Sequence, residues 1–248
     1  MTQSILITRP KDQAQKIVQH LEKSGFEVFI EPTFLVEKID PKNSLSLKKL
    51  SQEKIQAIIL TSGNAAEVAF AATEIFNFDK NIKIFAVGQK TAEIFVSNGF
   101  ANIKISQRNS AEDLKKLILS DQELSDKKSC ELLLYFCGEF ITLDFKIELE
   151  KQGFRVEKIT SYKIIEEKSF SENFLKHTKK SSFDFVLLYS KNSARHFCDL
   201  CKKHNLLEYF QASKILCLSD KILSYLHNFG FKNSATFDEI PTLKKFYE

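Results

Sequence analysis

Apolar and polar positions along the chain follow a regular succession of short strands and amphipathic helices. Residues 5–8 (ILIT) form a short apolar run of the kind that buried strands contain. Apolar residues then recur at helical spacing over residues 14–21, between Pro10, a favoured first-turn residue, and Gly25. The apolar run at residues 26–30 predicts the next strand. The same succession recurs along the rest of the chain, and strands that alternate with helices predict parallel sheets.

The second half of the chain repeats the pattern of the first half. Gly25 aligns with Gly153, an offset of 128 residues, and the strand starts align at the same or a slightly larger offset. Each copy contains five short strands, so we predict an α/β protein with two flavodoxin-like, doubly wound parallel-sheet domains. The aligned segments are 4–34 with 132–162, 57–64 with 185–192, and 84–100 with 215–231.

The repeat leaves two divisions of the chain open. A simple division would cut near residue 125, within the polar stretch 120–129, which is typical of a loop. In a swapped division, the first strand, helix and strand would join the last third of the chain. The two crossings, near residues 36–41 and 164–169, would then lie side by side as a short two-stranded linker. Their extended, charge-interleaved sequences suit such a hinge, but periodicity alone does not choose between the two divisions.

The composition is that of an ordinary globular protein and disfavours several classes of function. With 43% hydrophobic and 27% charged residues, the chain is expected to fold. Its apolar runs are far shorter than the about 18 residues of a membrane span, and no export segment is apparent at the N-terminus. The net charge of +4 is spread along the chain, so no nucleic-acid partner is predicted. Five cysteines, an odd number, favour reduced thiols in a cytoplasmic protein.

Small, hydroxyl-bearing and basic residues cluster where the predicted strands end. Ligands of open parallel sheets bind at the carboxyl ends of the strands, where helix N-termini offer free N–H groups and a positive dipole. The same residue types are common helix N-caps, so each one also has a purely structural interpretation. Their presence in both copies indicates a surface for carboxylates, phosphates or carbonyls. The candidate binding residues are Arg9, Ser62, Gly63, Asn64, Gly88, Thr91, Gly138, Ser190, Lys191, Ser193, Ser219 and Lys221.

Cofactor and metal chemistry find little support in the sequence. No Walker loop and no G-x-G-x-x-G motif follows a predicted strand, so no cofactor is predicted. Cys198 and Cys201 form a C-x-x-C pair with His196 and His204 nearby. The pair lies in a helical stretch and has no second cysteine pair to complete a zinc site, so we predict no metal.

Several strand-end sequences taken together resemble those of uroporphyrinogen-III synthases. They are I-T-R-P at 7–10, L-T-S-x-N-A at 60–65, A-V-G-x-x-T-A at 86–92, the apolar strand that ends in Gly138, and S-Y-K at 161–163. Each is common by itself, but their order and spacing cover nearly the whole chain. The resemblance implies the swapped arrangement, with the two domains joined by a two-stranded linker. Residues 1–36 plus 168–248 would form one domain, and residues 37–167, including the linker strands, the other.

The resemblance also implies an activity. Members of this family cyclise the linear tetrapyrrole hydroxymethylbilane to uroporphyrinogen III, with inversion of the last pyrrole ring and loss of water, and they use no cofactor. Tyr162 matches the family's tyrosine and is the expected hydrogen-bond donor to the leaving oxygen, and Thr91 matches a threonine of a binding motif. The active site would lie between the two domains. We expect a cytoplasmic, monomeric lyase in transient contact with the enzyme that makes the bilane.

Two departures from the family's pattern leave a second interpretation open. The second copy of the G-x-x-T-A motif is S-D-K-I-L at residues 219–223, which lacks the glycine and the threonine hydroxyl but offers Lys221 as a cation. No arginine follows Gly138, where residues 139–143 are E-F-I-T-L. The alternative is a non-catalytic two-domain binding protein for an anionic small molecule.

Overall fold

The structure, a computed structural model of the chain, describes residues 2–50, 53–127 and 130–239. The chain divides into two units, one from residues 1–35 with 165–248 and the other from residues 36–164. Residue 1 and residues 240–248, which the domain prediction assigns to the discontinuous domain, lie outside the described residues.

Strands and helices largely alternate along the described residues, except that β3 follows β2 and α6 follows α5. None of these helices is both long and apolar enough to span a bilayer. The strands are β1 (Ser4–Ile7), β2 (Glu27–Ile30), β3 (Phe34–Lys38), β4 (Ile55–Leu60), β5 (Lys83–Ala86), β6 (Ile103–Ile105), β7 (Leu132–Gly138), β8 (Arg155–Glu166), β9 (Phe185–Leu188), β10 (Lys214–Cys217) and β11 (Ser234–Thr236). The α-helices are α1 (Lys11–Lys23), α2 (Leu45–Leu50), α3 (Gly63–Ile75), α4 (Gln89–Ser97), α5 (Ala111–Leu119), α6 (Gln122–Lys127), α7 (Phe145–Glu150), α8 (Glu172–Thr178), α9 (Lys191–Lys203) and α10 (Asp220–Phe229). Short 3₁₀ helices cover Pro41–Asn43, Leu207–Phe210 and Phe237–Glu239.

Each unit is built around one sheet, and the two sheets share the same spatial order of strands. In the first unit the order is β2-β1-β9-β10-β11, and all neighbours are parallel. In the second unit the order is β8-β7-β4-β5-β6, again parallel, with β3 outside β8. The repeat aligns β7 and β8 with β1 and β2, and β4, β5 and β6 with β9, β10 and β11, although β4–β6 come before β7 and β8 in the chain. When the strands of both units are numbered in this aligned order, both sheets have the order 2-1-3-4-5, which is that of a flavodoxin-like sheet. The predicted fold class is confirmed.

Both sheets carry apolar side chains on their two faces, as buried parallel sheets do. In β1, Ile5 and Ile7 pack in one core layer with residues of α1, whereas Leu6 between them packs in another layer with residues of α9. In β4, Ile58 and Leu60 pack with α3, and Ile59 packs in the opposite layer with α5. Because helices cover both faces, the strand ends are the part of each sheet that is available to a ligand.

Two chain segments connect the units. The boundary falls within β3, after residue 35, and again within β8, after residue 164. The two strands are neighbours in the sheet order. Main-chain hydrogen bonds join Ile39 N to Ser161 O at 2.8 Å and Glu167 N to Thr33 O at 3.0 Å. The connection is therefore two-stranded.

The stretch 120–129, which the sequence analysis assigns to a loop, contains α6 instead, while residues 128–129 lie outside the described residues. Asp121 stabilises the start of this helix, because its Oδ1 accepts a hydrogen bond from Leu124 N at 3.0 Å. Leu124 is fully buried and fixes the helix to the core. One apolar residue in a polar stretch gives no helical periodicity, which is why the loop prediction was wrong.

Candidate functional site

The topology of the second unit creates a candidate site at a switch point of its sheet. The chain leaves β7 for β8 on one side and leaves β4 for β5 on the other side. Ligands of open α/β sheets bind beyond the carboxyl ends of such a strand pair. A cavity of about 300 Å³ lies there, and its lining includes Thr61, Ser62, Tyr135, Gly138 and Tyr162, together with residues 140–143.

An irregularity in β8 brings Tyr162 to this cavity. The strand pairs with β7 one residue for one as far as Cys137, but Gly138 then pairs with Tyr162, so Ser161 is an extra residue. Side chains three residues apart in a regular strand point to opposite faces. Because of the bulge, Ile159 and Tyr162 instead pack against the same core layer.

The Tyr162 ring lies directly against the main chain of Gly138. A Cβ atom at position 138 would stand 2.6 Å from Tyr162 Cζ and 2.8 Å from its hydroxyl oxygen. Both distances are far below van der Waals contact, so the ring occupies this place because residue 138 has no side chain. The main chain is fixed at the same point, since Glu139 N donates to Tyr162 O at 3.0 Å.

The two tyrosines of the cavity differ in their hydrogen bonds. The Tyr135 hydroxyl donates to Leu143 O at 3.3 Å, and burial raises the pKa of Tyr135 above its ordinary value. The Tyr162 hydroxyl makes no hydrogen bond to any of the residues that the structure describes. A phenol whose O–H is not used by the protein can donate to an oxygen atom of a bound molecule.

The first turn of α3 lies at the same edge of the sheet. Ser62 is its N-cap, with Oγ accepting from Ala65 N at 3.2 Å, and it also lines the cavity. Gly63 and Asn64 begin the helix and do not line the cavity. The structure therefore brings Ser62 to the site but leaves its two neighbours outside.

The first turn of α4 contacts the cavity through Asn109. Gly88 precedes the helix, and a Cβ atom there would come within 2.6 Å of Asn109 Oδ1. Asn109 lines the cavity and has a left-handed backbone, with a φ of 50°. Thr91 is buried in the first turn, at 6% exposure, and does not line the cavity. Neither of the two predicted residues lines the cavity, but Gly88 lies against Asn109, which does.

The switch point of the first unit lies between β1 and β9. Arg9 follows β1, and its guanidinium carbon stands 4.5 Å from the centroid of the Tyr189 ring, which follows β9. This cation–π contact holds a positive charge at the strand ends. Ser190 and Ser193 form a capping box at the start of α9, with Ser193 N donating to Ser190 Oγ at 3.0 Å. Lys191, the first residue of that helix, is exposed.

The end of β10 lies next to β9 on the same sheet. Ser219 is the N-cap of α10 but makes no capping hydrogen bond through its side chain. Ser219 and Lys221 are both exposed. The parallel order of β1, β9 and β10 therefore brings the predicted binding residues of the first unit to one edge of its sheet.

A larger cavity, of about 420 Å³, lies at the opposite, amino end of the second unit's sheet. Lys83 lines it and forms an ion pair with buried Asp121 at 2.8 Å, and Lys104 binds the same carboxylate at 2.6 Å. Burial alone would raise the pKa of Asp121, but hydrogen bonds from both lysines and from Leu124 N lower it to about 2. Because Asp121 is paired and also caps α6, we assign this cluster a structural role.

The cysteine pair of α9 is buried and unreactive. Cys198 and Cys201 are fully buried, and burial raises the pKa of Cys198 to about 12. A thiol that stays protonated is a poor nucleophile and a poor metal ligand. Among the residues that the structure describes, no group of three or more His, Cys, Asp or Glu side chains could hold a metal ion.

Comparison with known proteins identifies the family. A family model described as uroporphyrinogen-III synthase HemD matches residues 15–246. The chain belongs to the uroporphyrinogen-III synthase family. This family consists of enzymes of tetrapyrrole biosynthesis, and the resemblance found in the strand-end motifs is confirmed.

The relatives of the chain are distant in sequence. The uncharacterised protein RP474 of Rickettsia prowazekii (strain Madrid E) is 26% identical over 91% of this chain and 90% of its own length. A mutant uroporphyrinogen III synthase of the extremely thermophilic bacterium Thermus thermophilus superposes with a TM-score of 0.60 at 15% identity, covering 99% of this chain and 96% of that one. The uroporphyrinogen-III synthetase of Helicobacter pylori 26695 gives 0.59 at 14% identity, covering 95% and 92%. At these identities the two structures show the shared fold.

The sequence analysis did not identify most of the residues that line this cavity, and Tyr135 and Asn109 show why. Tyr135 lies within the apolar run of β7 and is 1% exposed, so its ring is indistinguishable in sequence from a core side chain. Asn109 precedes Ser110, the N-cap of α5, and the Asn-Ser pair was a sign of a turn. That turn could have been found in the sequence, but its contact with Gly88 could not.

Proposed function

We propose that this chain cyclises hydroxymethylbilane to uroporphyrinogen III, with inversion of the last pyrrole ring and loss of water. The observation that carries the proposal is the position of Tyr162. Tyr162 lines a cavity at the switch point of the sheet, and its ring is fixed against Gly138. No described residue takes up its O–H, so the group is available to a substrate oxygen.

The reaction begins with the departure of the terminal hydroxyl group. The carbon–oxygen bond breaks as electrons flow from the attached pyrrole ring, and a hydrogen bond from Tyr162 to the leaving oxygen lowers the barrier. The product is a cationic azafulvene with an electrophilic methylene carbon. The leaving hydroxide takes up one proton and departs as water, and the proton that the far ring later loses balances this uptake, so the reaction needs no oxidant or reductant.

Inversion of the far ring follows from the site of attack. The substituted carbon of the far pyrrole ring attacks the methylene carbon and forms a new carbon–carbon bond. The bond between that ring and its original methylene bridge then breaks, and the bridge reattaches at the unsubstituted carbon, which loses a proton. The protein's contribution is to hold the two ends of the bilane together in this orientation.

The strand ends carry groups suited to the many carboxylates of the bilane. The N-termini of α3, α4 and α9 present main-chain N–H groups and the positive end of a helix dipole. Arg9, Lys191 and Lys221 add positive charge at the strand ends of the first unit. Ser219 and Ile222 stand where the family's motif has its glycine and threonine, and Lys221 between them supplies a positive charge where close main-chain approach is lost.

The experiment that tests the function is a coupled assay. Hydroxymethylbilane is generated in place, the products are oxidised, and the porphyrin I and III isomers are separated by chromatography. The bilane alone closes to isomer I, so a predominance of isomer III supports the proposal. Only isomer I in the presence of folded protein contradicts it, and bilane binding without isomer III would favour the non-catalytic alternative.

We also propose that the enzyme acts as a cytoplasmic monomer that receives the unstable bilane from the enzyme producing it. Size-exclusion chromatography with light scattering tests the monomer. Direct transfer of the bilane is tested by the yield of isomer III at limiting protein. The yield is measured once with the bilane-producing enzyme in the same solution and once with the two enzymes kept apart. A stable dimer would contradict the first part, and equal yields would contradict the second.

A further inference from the structure

The loop between β7 and α7 places an exposed aromatic side chain beside the cavity. Residues 139–143 have no regular secondary structure and lead to Asp144, the N-cap of α7. Phe140 is 77% exposed, the highest value among the exposed large apolar side chains of the described residues, and it lines the cavity. A single exposed apolar residue needs no explanation by itself. Phe140 differs because it lies at the mouth of the Tyr162 cavity, where it can contact a bound molecule.

The loop is held at both ends by the tyrosines of the cavity. Glu139 N donates to Tyr162 O at 3.0 Å, and the Tyr135 hydroxyl donates to Leu143 O at 3.3 Å. Both attachments lie within three residues of Phe140. The main chain of the loop is therefore fixed beside both tyrosines, and Phe140 and Tyr162 line the same cavity, although nothing packs against most of the Phe140 ring.

The size of the cavity limits how much of the substrate it can hold. Its volume of about 300 Å³ is at the lower end of the range for small-molecule sites. A linear tetrapyrrole exceeds this space, so one end of the bilane fits inside and the rest lies at the mouth. If Tyr162 donates to the leaving oxygen, the ring with the hydroxymethyl group is inside, and the attacking ring is outside, next to Phe140.

We propose that Phe140 is a positioning residue that determines which carbon of the far pyrrole ring attacks. The proposal rests on the proposed function. A flat pyrrole face stacks on an aromatic ring in a limited set of orientations, and a nearby cationic azafulvene is attracted to the same ring. Stacking on Phe140 holds the substituted carbon towards the methylene carbon. A far ring without this contact turns and attacks through its less hindered, unsubstituted carbon, which then loses its proton to give isomer I.

The test measures isomer I that is made by the enzyme, as distinct from isomer I that forms spontaneously. Phe140→Ala, Phe140→Tyr and the unaltered protein are compared at several protein concentrations, and the initial rates of both isomers are recorded. Because Phe140 is exposed, the substitutions are expected to leave the thermal midpoint nearly unchanged, which is measured alongside.

We expect the Phe140→Ala variant to form isomer I at a rate that increases with its concentration, with a fall of about tenfold in the ratio of isomer III to isomer I. Phe140→Tyr keeps the flat ring and should keep the ratio. A Phe140→Ala variant that makes isomer III more slowly, with isomer I at the spontaneous rate, would overturn the proposal, as would unchanged kinetics or a Phe140→Tyr variant that behaves like alanine. Failure of the proposed function itself is distinguishable, because the unaltered protein would then make no isomer III.

Discussion

Substitution of Gly138 by alanine tests whether the placement of Tyr162 governs the chemistry. The added Cβ atom would stand 2.6 Å from Tyr162 Cζ, about 1 Å inside normal carbon contact distance. The ring must therefore move by about 1 Å, because Gly138 lies in the fully buried strand β7 and cannot retreat. Overpacking of this kind costs about 1–3 kcal/mol of stability. A misplacement of about 1 Å at a reacting group costs about a hundredfold in rate.

The matched control for Gly138→Ala is Gly99→Ala, in the same unit. Gly99 has a φ of +81°, and a Cβ atom added there would have no neighbour within 4 Å, so alanine at this position is strained but touches nothing. That strain costs about 1 kcal/mol. We expect both variants to lose stability in urea denaturation, but only Gly138→Ala to lose about a hundredfold in the rate of isomer III formation. Equal activity of the two folded variants would refute the reasoning.

Three further predictions address the ion cluster, a helix cap and the loop anchor. Because the pKa of Asp121 is lowered to about 2, its contribution to stability is complete above about pH 5 and is lost as the pH falls towards 2. Unfolding free energies should therefore show the unaltered protein losing about 2 kcal/mol more than Asp121→Asn between about pH 5 and pH 2. Ser62→Ala and Ser171→Ala each remove a helix N-cap and should each lower the free energy of unfolding by about 1 kcal/mol. Only Ser62→Ala should slow isomer III formation, and equal rates for the two variants would contradict the assignment of Ser62 to the site. Tyr135→Phe removes the hydroxyl that anchors the loop and should lower the isomer III rate about tenfold, at a cost of about 1 kcal/mol in stability. An unchanged rate would show that the anchor is dispensable.

The fold could be predicted because the same pattern of strands and helices occurs in both halves of the sequence. The apolar runs of β1 and β7 align at the same offset as the glycines that end the following helices, and both sheets have the same strand order. The helix α6 could not be predicted, because it is fixed by Asp121 and by the burial of Leu124. The cap spans only three residues, but the burial of Leu124 joins it to core residues far apart in the chain and leaves no periodic pattern.

The candidate site was predicted in part, because the sequence shows which residues follow a strand but not the direction in which their side chains point. Ser62, Gly138 and Tyr162 follow strand ends, and topology brings such residues to one edge of a sheet. The bulge at Ser161, which turns Tyr162 towards the cavity, depends on the pairing of β8 with β7. Thr91 shows the opposite case, since a residue at a strand end can also turn into the core. A sequence motif therefore gives a residue's position along the chain, whereas packing decides whether its side chain faces the cavity or the core.

The single-turnover rate of isomer III formation by Tyr162→Phe tests whether the Tyr162 hydroxyl donates to the leaving oxygen. This variant keeps the ring against Gly138 and removes only the hydroxyl that has no partner among the described residues. If that hydroxyl donates to the leaving oxygen, the rate should fall by about a hundredfold or more while bilane binding stays nearly unchanged. A Tyr162→Phe variant that forms isomer III at the rate of the unaltered protein would contradict the account.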